Sequence, residues 1–115
     1  MDLSIVIPAF DEATKIGRDV EAAALFIRTS GLAGEVVVVD DGSRDGTVDA
    51  IRGARVPPSV PVRALRLEKN AGKGFALKTG VLATSGDAII CADAGTCVRY
   101  EDALPSLARI RAGEL

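Results

Sequence analysis

Val36-Val37-Val38-Val39-Asp40-Asp41-Gly42-Ser43 reads as a strand that ends in two carboxylates and a glycine turn. Four consecutive β-branched apolar residues predict a strand buried on both faces, the habit of a parallel sheet. In open α/β sheets ligands gather outside the carboxyl ends of the strands. Acids emerging there can accept from sugar hydroxyls or base N–H groups, or can hold a metal. On their own, Asp40 and Asp41 before Gly42 could equally form a turn that caps the next helix.

Moving outward from that strand, the chain alternates strand and helix. Leu3 to Ile7 predicts a first strand ended by Pro8. A helix follows from about Ala13 to Thr29, with Ile16, Val20, Ala23, Ala24 and Ile27 on one face. Gly31 and Gly34 stop it, and Glu35 to Val39 forms the second strand. Ser43 or Asp45 is positioned to cap a short helix running to about Arg55. After the proline-rich connection, Val62 to Leu67 alternates weakly and predicts a strand near the sheet edge, with Arg63 and Arg66 facing water. A helix from Lys73 to Thr84 should pair Leu77 with Val81 and Phe75 with Leu82. Ala88 to Cys91 predicts a fourth strand delivering Asp93, and Leu104 to Ile110 a last helix with Pro105 in its first turn. This order calls for a three-layer α/β/α, Rossmann-like domain with a mainly parallel sheet and right-handed crossovers. Asp11 and Glu12, Asp40 and Asp41, and Asp93 then converge on one edge.

Composition removes several function classes. The 115 residues form one domain, 1–115, and 48% of them are hydrophobic, which argues against disorder. Net charge is −2 without a Lys/Arg block, so nucleic acid is not an expected partner. The chain has no histidine, which removes His-based catalysis. No window approaches the roughly 20 apolar residues of a membrane span, and Met1-Asp2-Leu3-Ser4 lacks a basic signal region. Cys91 and Cys97 match no zinc or redox spacing, so free thiols and a cytoplasmic location are expected. An EF-hand reading of Asp41 to Arg52 collapses because position twelve is Arg52 and not Glu. Lys73 is followed by glycine, unlike a P-loop lysine. Pro8-Ala9-Phe10 stands where a dinucleotide-binding glycine fingerprint would lie.

Taken together, the motifs resemble the family-2 glycosyltransferases, with their nucleotide-diphospho-sugar transferase (GT-A) fold. Ser4 to Glu12 is similar to the family's opening, and Val37 to Thr47 to its second motif. Asn70-Ala71-Gly72-Lys73-Gly74-Phe75-Ala76-Leu77, Thr79-Gly80, Ala83 and Gly86-Asp87 continue the likeness in order. The pattern is nearest to the polyprenyl-phosphate sugar transferases, such as the dolichyl-phosphate glucosyl- and mannosyltransferases.

By that resemblance Pro8, Phe10 and Glu12 line a nucleoside pocket, Val38 flanks the base, and Asp40 accepts from the base N–H. Asp41 belongs to the same donor site, and Lys73 stands where an anion is favoured. Asp93 corresponds to the first acid of the family's Asp-x-Asp and is implied as the catalytic and metal-binding residue for Mg²⁺ or Mn²⁺. Gly95 occupies the second acid's place, so either Asp93 holds the metal with waters, or the metal is dispensable, or the chain is an inactive member. The implied reaction is inverting transfer from a UDP- or GDP-linked sugar to a polyprenyl phosphate at the cytoplasmic face of a membrane.

Family members continue into an acceptor half, so residues 1–115 are expected to be the N-terminal, nucleotide-binding part of an incomplete fold. An exposed packing face and self-association follow from that. The competing readings are a non-catalytic nucleotide-sugar-binding remnant and, from another class, a phosphoacceptor receiver domain. The receiver has no use for the opening Pro8 to Glu12.

Overall fold

The computed structural model describes residues 1–92 together with Tyr100, Pro105 and Leu107. Asp93 and the predicted last helix, apart from Pro105 and Leu107, lie outside the described residues. The elements run β1 (Leu3–Ala9), α1 (Ile16–Ser30), β2 (Gly34–Asp40), α2 (Thr47–Arg52), β3 (Val62–Arg66), α3 (Lys73–Leu82) and β4 (Ala88–Cys91). All strand pairs are parallel and the order is β3-β2-β1-β4. In a receiver-type sheet the third strand lies beside the first. Here β3 is an edge strand beside β2, which rules out that alternative.

Alternation along β1 and β2 sorts the core into two layers. Leu3, Ile5, Ile7, Ala9, Val36 and Val38 meet Ile16, Val20, Ala23, Ala24 and Ile27 of α1. On the other face Val6, Val37 and Val39 meet Ala76 of α3. Each fully buried valine contributes about 1.5–3 kcal/mol by leaving water. The α1 face foreseen from its spacing is therefore the buried one, joined by Phe26, which stacks on Tyr100 at 5.5 Å between ring centroids.

Three expectations change in detail. β1 continues through Pro8 to Ala9, pairing Pro8 with Val39 on the β2 side; the absent proline N–H falls on the β4 side, where the last pair is Val6↔Cys91. α1 begins at Ile16 and not Ala13, since residues 13–15 form a turn. In α3 the face against the sheet is Ala76 and Gly80, flanked by Leu77 and Val81, while Phe75 and Leu82 point outward. Gly80 decides this: a Cβ there would lie 2.4 Å from Val6 Cγ1 and 2.9 Å from Val39 Cγ2, so only glycine permits the approach.

Candidate functional site

Parallel pairing brings the carboxyl ends of β1 and β2 to one edge, where two loops are stitched together by backbone donors. Asp41 N–H donates to the Ala9 carbonyl at 2.8 Å. Asp11 N–H donates to Ser43 Oγ at 2.8 Å, and Arg44 N–H returns a bond to Asp11 Oδ1 at 3.0 Å. Asp11 has φ 51°, a left-handed conformation that Asp and Asn tolerate better than other side chains. Glu12 N–H reaches Thr47 Oγ1 at 3.0 Å and Ala13 N–H reaches Asp45 Oδ2 at 3.2 Å. The turn into α1 is thus capped from the β2–α2 loop. Asp45 also accepts from Thr47 O–H and Thr47 N–H, and these bonds, the hydroxyl's first, hold its carboxyl below the usual carboxylate range. The N-cap of α2 is Gly46 and not Ser43 or Asp45; Asp45, one position earlier, takes the Thr47 N–H and the Ala13 N–H, and Ser43 is used for the cross-loop bond.

Adjacent in sequence, Asp40 and Asp41 do different things. Asp40 is fully buried; its Oδ1 accepts from Ser43 N–H at 3.1 Å, and its Oδ2 has no hydrogen-bond partner among the described residues. Arg66 Nε stands 3.8 Å from that oxygen, beyond hydrogen-bonding range, while its terminal nitrogen donates to the Ser43 carbonyl at 3.1 Å. Arg66 therefore does more than face water, because the strand end it leaves lies over a buried carboxylate. Asp41 is buried too, with Oδ1 accepting from Ala71 N–H at 2.8 Å and Oδ2 from Gly72 N–H at 3.0 Å. Gly42 follows with φ 76°, and a Cβ there would meet Asn70 N at 2.7 Å.

One cavity of about 180 Å³ is lined by Pro8, Ala9, Phe10, Glu12, Asp41, Lys73 and Ala76. Five of the residues singled out from sequence (Pro8, Phe10, Glu12, Asp41 and Lys73) thus share one space. It combines an apolar wall with a half-exposed aromatic ring, a carboxylate that accepts no hydrogen bond from the described residues, and a lysine. Such a set suits a flat heterocycle, a diol and an anion. Asp40 lines a second, polar cavity of about 230 Å³ with Ser43, Asp45, Asp49, Arg52 and Arg66 among its walls. Val38 lines neither; it is fully buried in the α1-side core. Ala9 and Ala76 stand inside the quoted motifs without an assigned role, and from its sequence Arg66 is expected only to face water; nothing in their residue types marks them as cavity walls. Among the described residues no cluster of three or more His, Cys, Asp or Glu side chains could hold a metal, and no helix is long and apolar enough to cross a membrane.

At the other end of the sheet Arg63 also departs from the expected solvent role. It pairs with buried Glu35 at 2.9 Å and donates to the Ala83 carbonyl. Burial alone would raise the Glu35 carboxyl. Hydrogen bonds from Ser4 Oγ, Ser85 N–H and Arg63 outweigh it and hold the group below its ordinary value.

Comparison with known proteins places this geometry. Residues 4–114 match the family model described as glycosyl transferase family 2. The chain is 33% identical over 106 residues to the dolichyl-phosphate beta-glucosyltransferase of Homo sapiens, covering 87% of this chain and 33% of that one. It is 33% identical over 92 residues to an undecaprenyl-phosphate 4-deoxy-4-formamido-L-arabinose transferase of Pseudomonas paraeruginosa, covering 80% and 27%. The chain spans about a third of the length of the curated relatives it matches. Among solved structures, residues 1–349 of S. aureus TarS superpose with a TM-score of 0.76 at 24% identity, over 97% of this chain and 33% of that one. The mannosyltransferase PcManGT of Pyrobaculum calidifontis, solved with GDP-Man and Mn²⁺, superposes with a TM-score of 0.64 at 26% identity, over 79% and 26%. The fold is thus the nucleotide-diphospho-sugar transferase fold expected from the motifs.

Proposed function

Because the chain belongs to glycosyl transferase family 2, we propose that its strand-end site binds a UDP- or GDP-linked sugar as donor for inverting transfer to a polyprenyl phosphate. The observation that carries this reading is the one cavity shared by Pro8, Phe10, Glu12, Asp41 and Lys73; Asp40, in the second cavity, adds a buried Oδ2 left without a donor. A buried carboxylate oxygen without a donor costs about 1–3 kcal/mol or more, and a base N–H offsets that cost on binding. Phe10 offers its exposed ring to the base, Glu12 accepts from ribose hydroxyls, and Lys73 meets the diphosphate. The names of the curated relatives support a polyprenyl phosphate acceptor, and PcManGT's complex with GDP-Man and Mn²⁺ supports a nucleotide donor with a divalent metal.

In the proposed reaction an acceptor phosphate oxygen attacks the anomeric carbon from the face opposite the donor phosphate. The bond from that carbon to the β-phosphate oxygen breaks, and its electron pair leaves with the nucleoside diphosphate. The acceptor is already an anion, so no general base is required of these residues. Asp93 would be the residue to hold Mg²⁺ or Mn²⁺, which would supply charge neutralisation at the leaving diphosphate. A site at the cytoplasmic face of a membrane follows from the acceptor.

Calorimetric titration with UDP, GDP, UDP-glucose and GDP-mannose, with and without Mn²⁺, tests the reading. Saturable binding that Asp40→Ala abolishes is the expected result. Absence of binding to all four ligands by the unmodified chain overturns it.

A further inference from the structure

The α3 helix is held against β2 by a carboxylate at each end. Alternation along β2 puts Glu35, Val37, Val39 and Asp41 on the α3 face in one row. At the rear, Glu35 Oε2 accepts from Ser85 N–H at 2.7 Å, just after the helix. In the middle, Ala76 and Gly80 press on Val6 and Val39 closely enough to exclude a Cβ at Gly80. At the front, Asp41 takes the N–H groups of Ala71 and Gly72. The residue at the α3 N-cap is Gly72, with φ 95° and no side-chain cap bond of its own. Asp41 therefore supplies from another loop the negative charge and the acceptors that a capping side chain supplies locally.

We infer that Asp41 is a positioning residue: by holding Ala71 N–H and Gly72 N–H it sets the entry of α3, and with it the place of Lys73 in the cavity. The functional consequence rests on the nucleotide-binding reading above; the structural claim does not. Asp40 and Asp41 then divide the labour. One leaves a buried oxygen without a hydrogen bond, while the other commits both oxygens to the frame. Fixing the lysine before ligand arrives removes an ordering cost from binding. Charge-assisted bonds to backbone N–H groups are roughly twice as strong as neutral ones, which suits this task.

Two readouts on the 115-residue chain test it. Amide hydrogen exchange is measured first, without ligand, in the unmodified protein and in Asp41→Asn. Exchange at Ala71 and Gly72 should accelerate at least about tenfold, roughly one charge-assisted hydrogen bond, with the sheet amides of β1 and β2 unchanged. Unaltered protection at those two residues overturns the inference. Affinity for UDP and GDP is then compared in Asp41→Asn, Lys73→Met and the double variant. The double variant should bind no more weakly than Lys73→Met alone, because Asp41 acts through the lysine. Additive losses would show that Asp41 touches the nucleotide itself. Glu35→Gln is the control, expected to loosen the rear of α3 with affinity unchanged. If Asp41→Asn does not fold, Asp41→Glu keeps the charge, moves it by one methylene and carries both comparisons. Should the unmodified chain bind no nucleotide, the donor-binding reading fails and the exchange arm still decides the role of Asp41.

Discussion

Replacing Asp40 by Asn should make the unliganded protein more stable and the nucleotide complex weaker. Asp40 is fully buried, satisfies one oxygen through Ser43 N–H at 3.1 Å, and leaves the other without a hydrogen bond. The amide keeps the Ser43 bond and removes a desolvated negative charge, relieving about 1–3 kcal/mol. Against this stands the loss of the Arg66 pairing. That contact is 3.8 Å long with the guanidinium side chain 62% exposed, so solvent screening limits it to about 0–1 kcal/mol. The net expectation is a gain of about 0.5–2 kcal/mol, or several degrees in Tm for a domain of this size. Nucleotide affinity should fall about 10- to 100-fold, the worth of one hydrogen bond to a charged acceptor. Urea denaturation gives the first quantity and calorimetry the second. A variant less stable than the parent, with affinity unchanged, would refute the idea that the fold tolerates an unpaired buried carboxylate for the sake of a ligand.

Elsewhere the structure makes sharper demands on single residues. Gly80→Ala should destabilise by about 1–3 kcal/mol, because the new methyl overlaps Val6 and Val39 and must push α3 off the sheet; chemical denaturation reads this directly. The Glu35 carboxyl is held below its ordinary value of 4.5, so its contribution is complete above that value and is lost as pH falls through the lowered one. Stability measured from neutral to acid pH should therefore drop less steeply in Glu35→Gln than in the parent. Phe75, Leu82 and Ile89 are 54%, 77% and 40% exposed, and self-association through such apolar side chains should appear in sedimentation at high concentration and weaken in Leu82→Glu. Monomeric behaviour of the parent at every concentration would count against that surface.

Much of the architecture is visible in residue order. Val36 to Val39 reads as a strand buried on both sides, and the alternation of such runs with helical spacing calls for a parallel α/β sheet before any contact is known. The spacing of Ile16, Val20, Ala23, Ala24 and Ile27 marks the buried stripe of α1, because helical period and burial are linked locally. Convergence of Glu12, Asp40 and Asp41 on one edge follows from parallel pairing alone. These are consequences of short-range periodicity and chain connectivity.

Other decisions needed the assembled chain. Asp40 and Asp41 are indistinguishable as residue types, yet the pleat turns them to opposite faces, where one finds a single donor and the other finds two. The turn leading into α1 is held by Thr47 and Asp45, which bind Glu12 N–H and Ala13 N–H across more than thirty positions, so no local capping signal marks it. Val38 lies in the core on the α1 side, since the even positions of β2 face α1. Arg63 and Arg66 look like solvated charges until the sheet places Glu35 and Asp40 beneath them. Sequence carries the periodicity that builds strands and helices, whereas the partners of a buried polar atom depend on which distant backbone groups packing brings within about 3 Å.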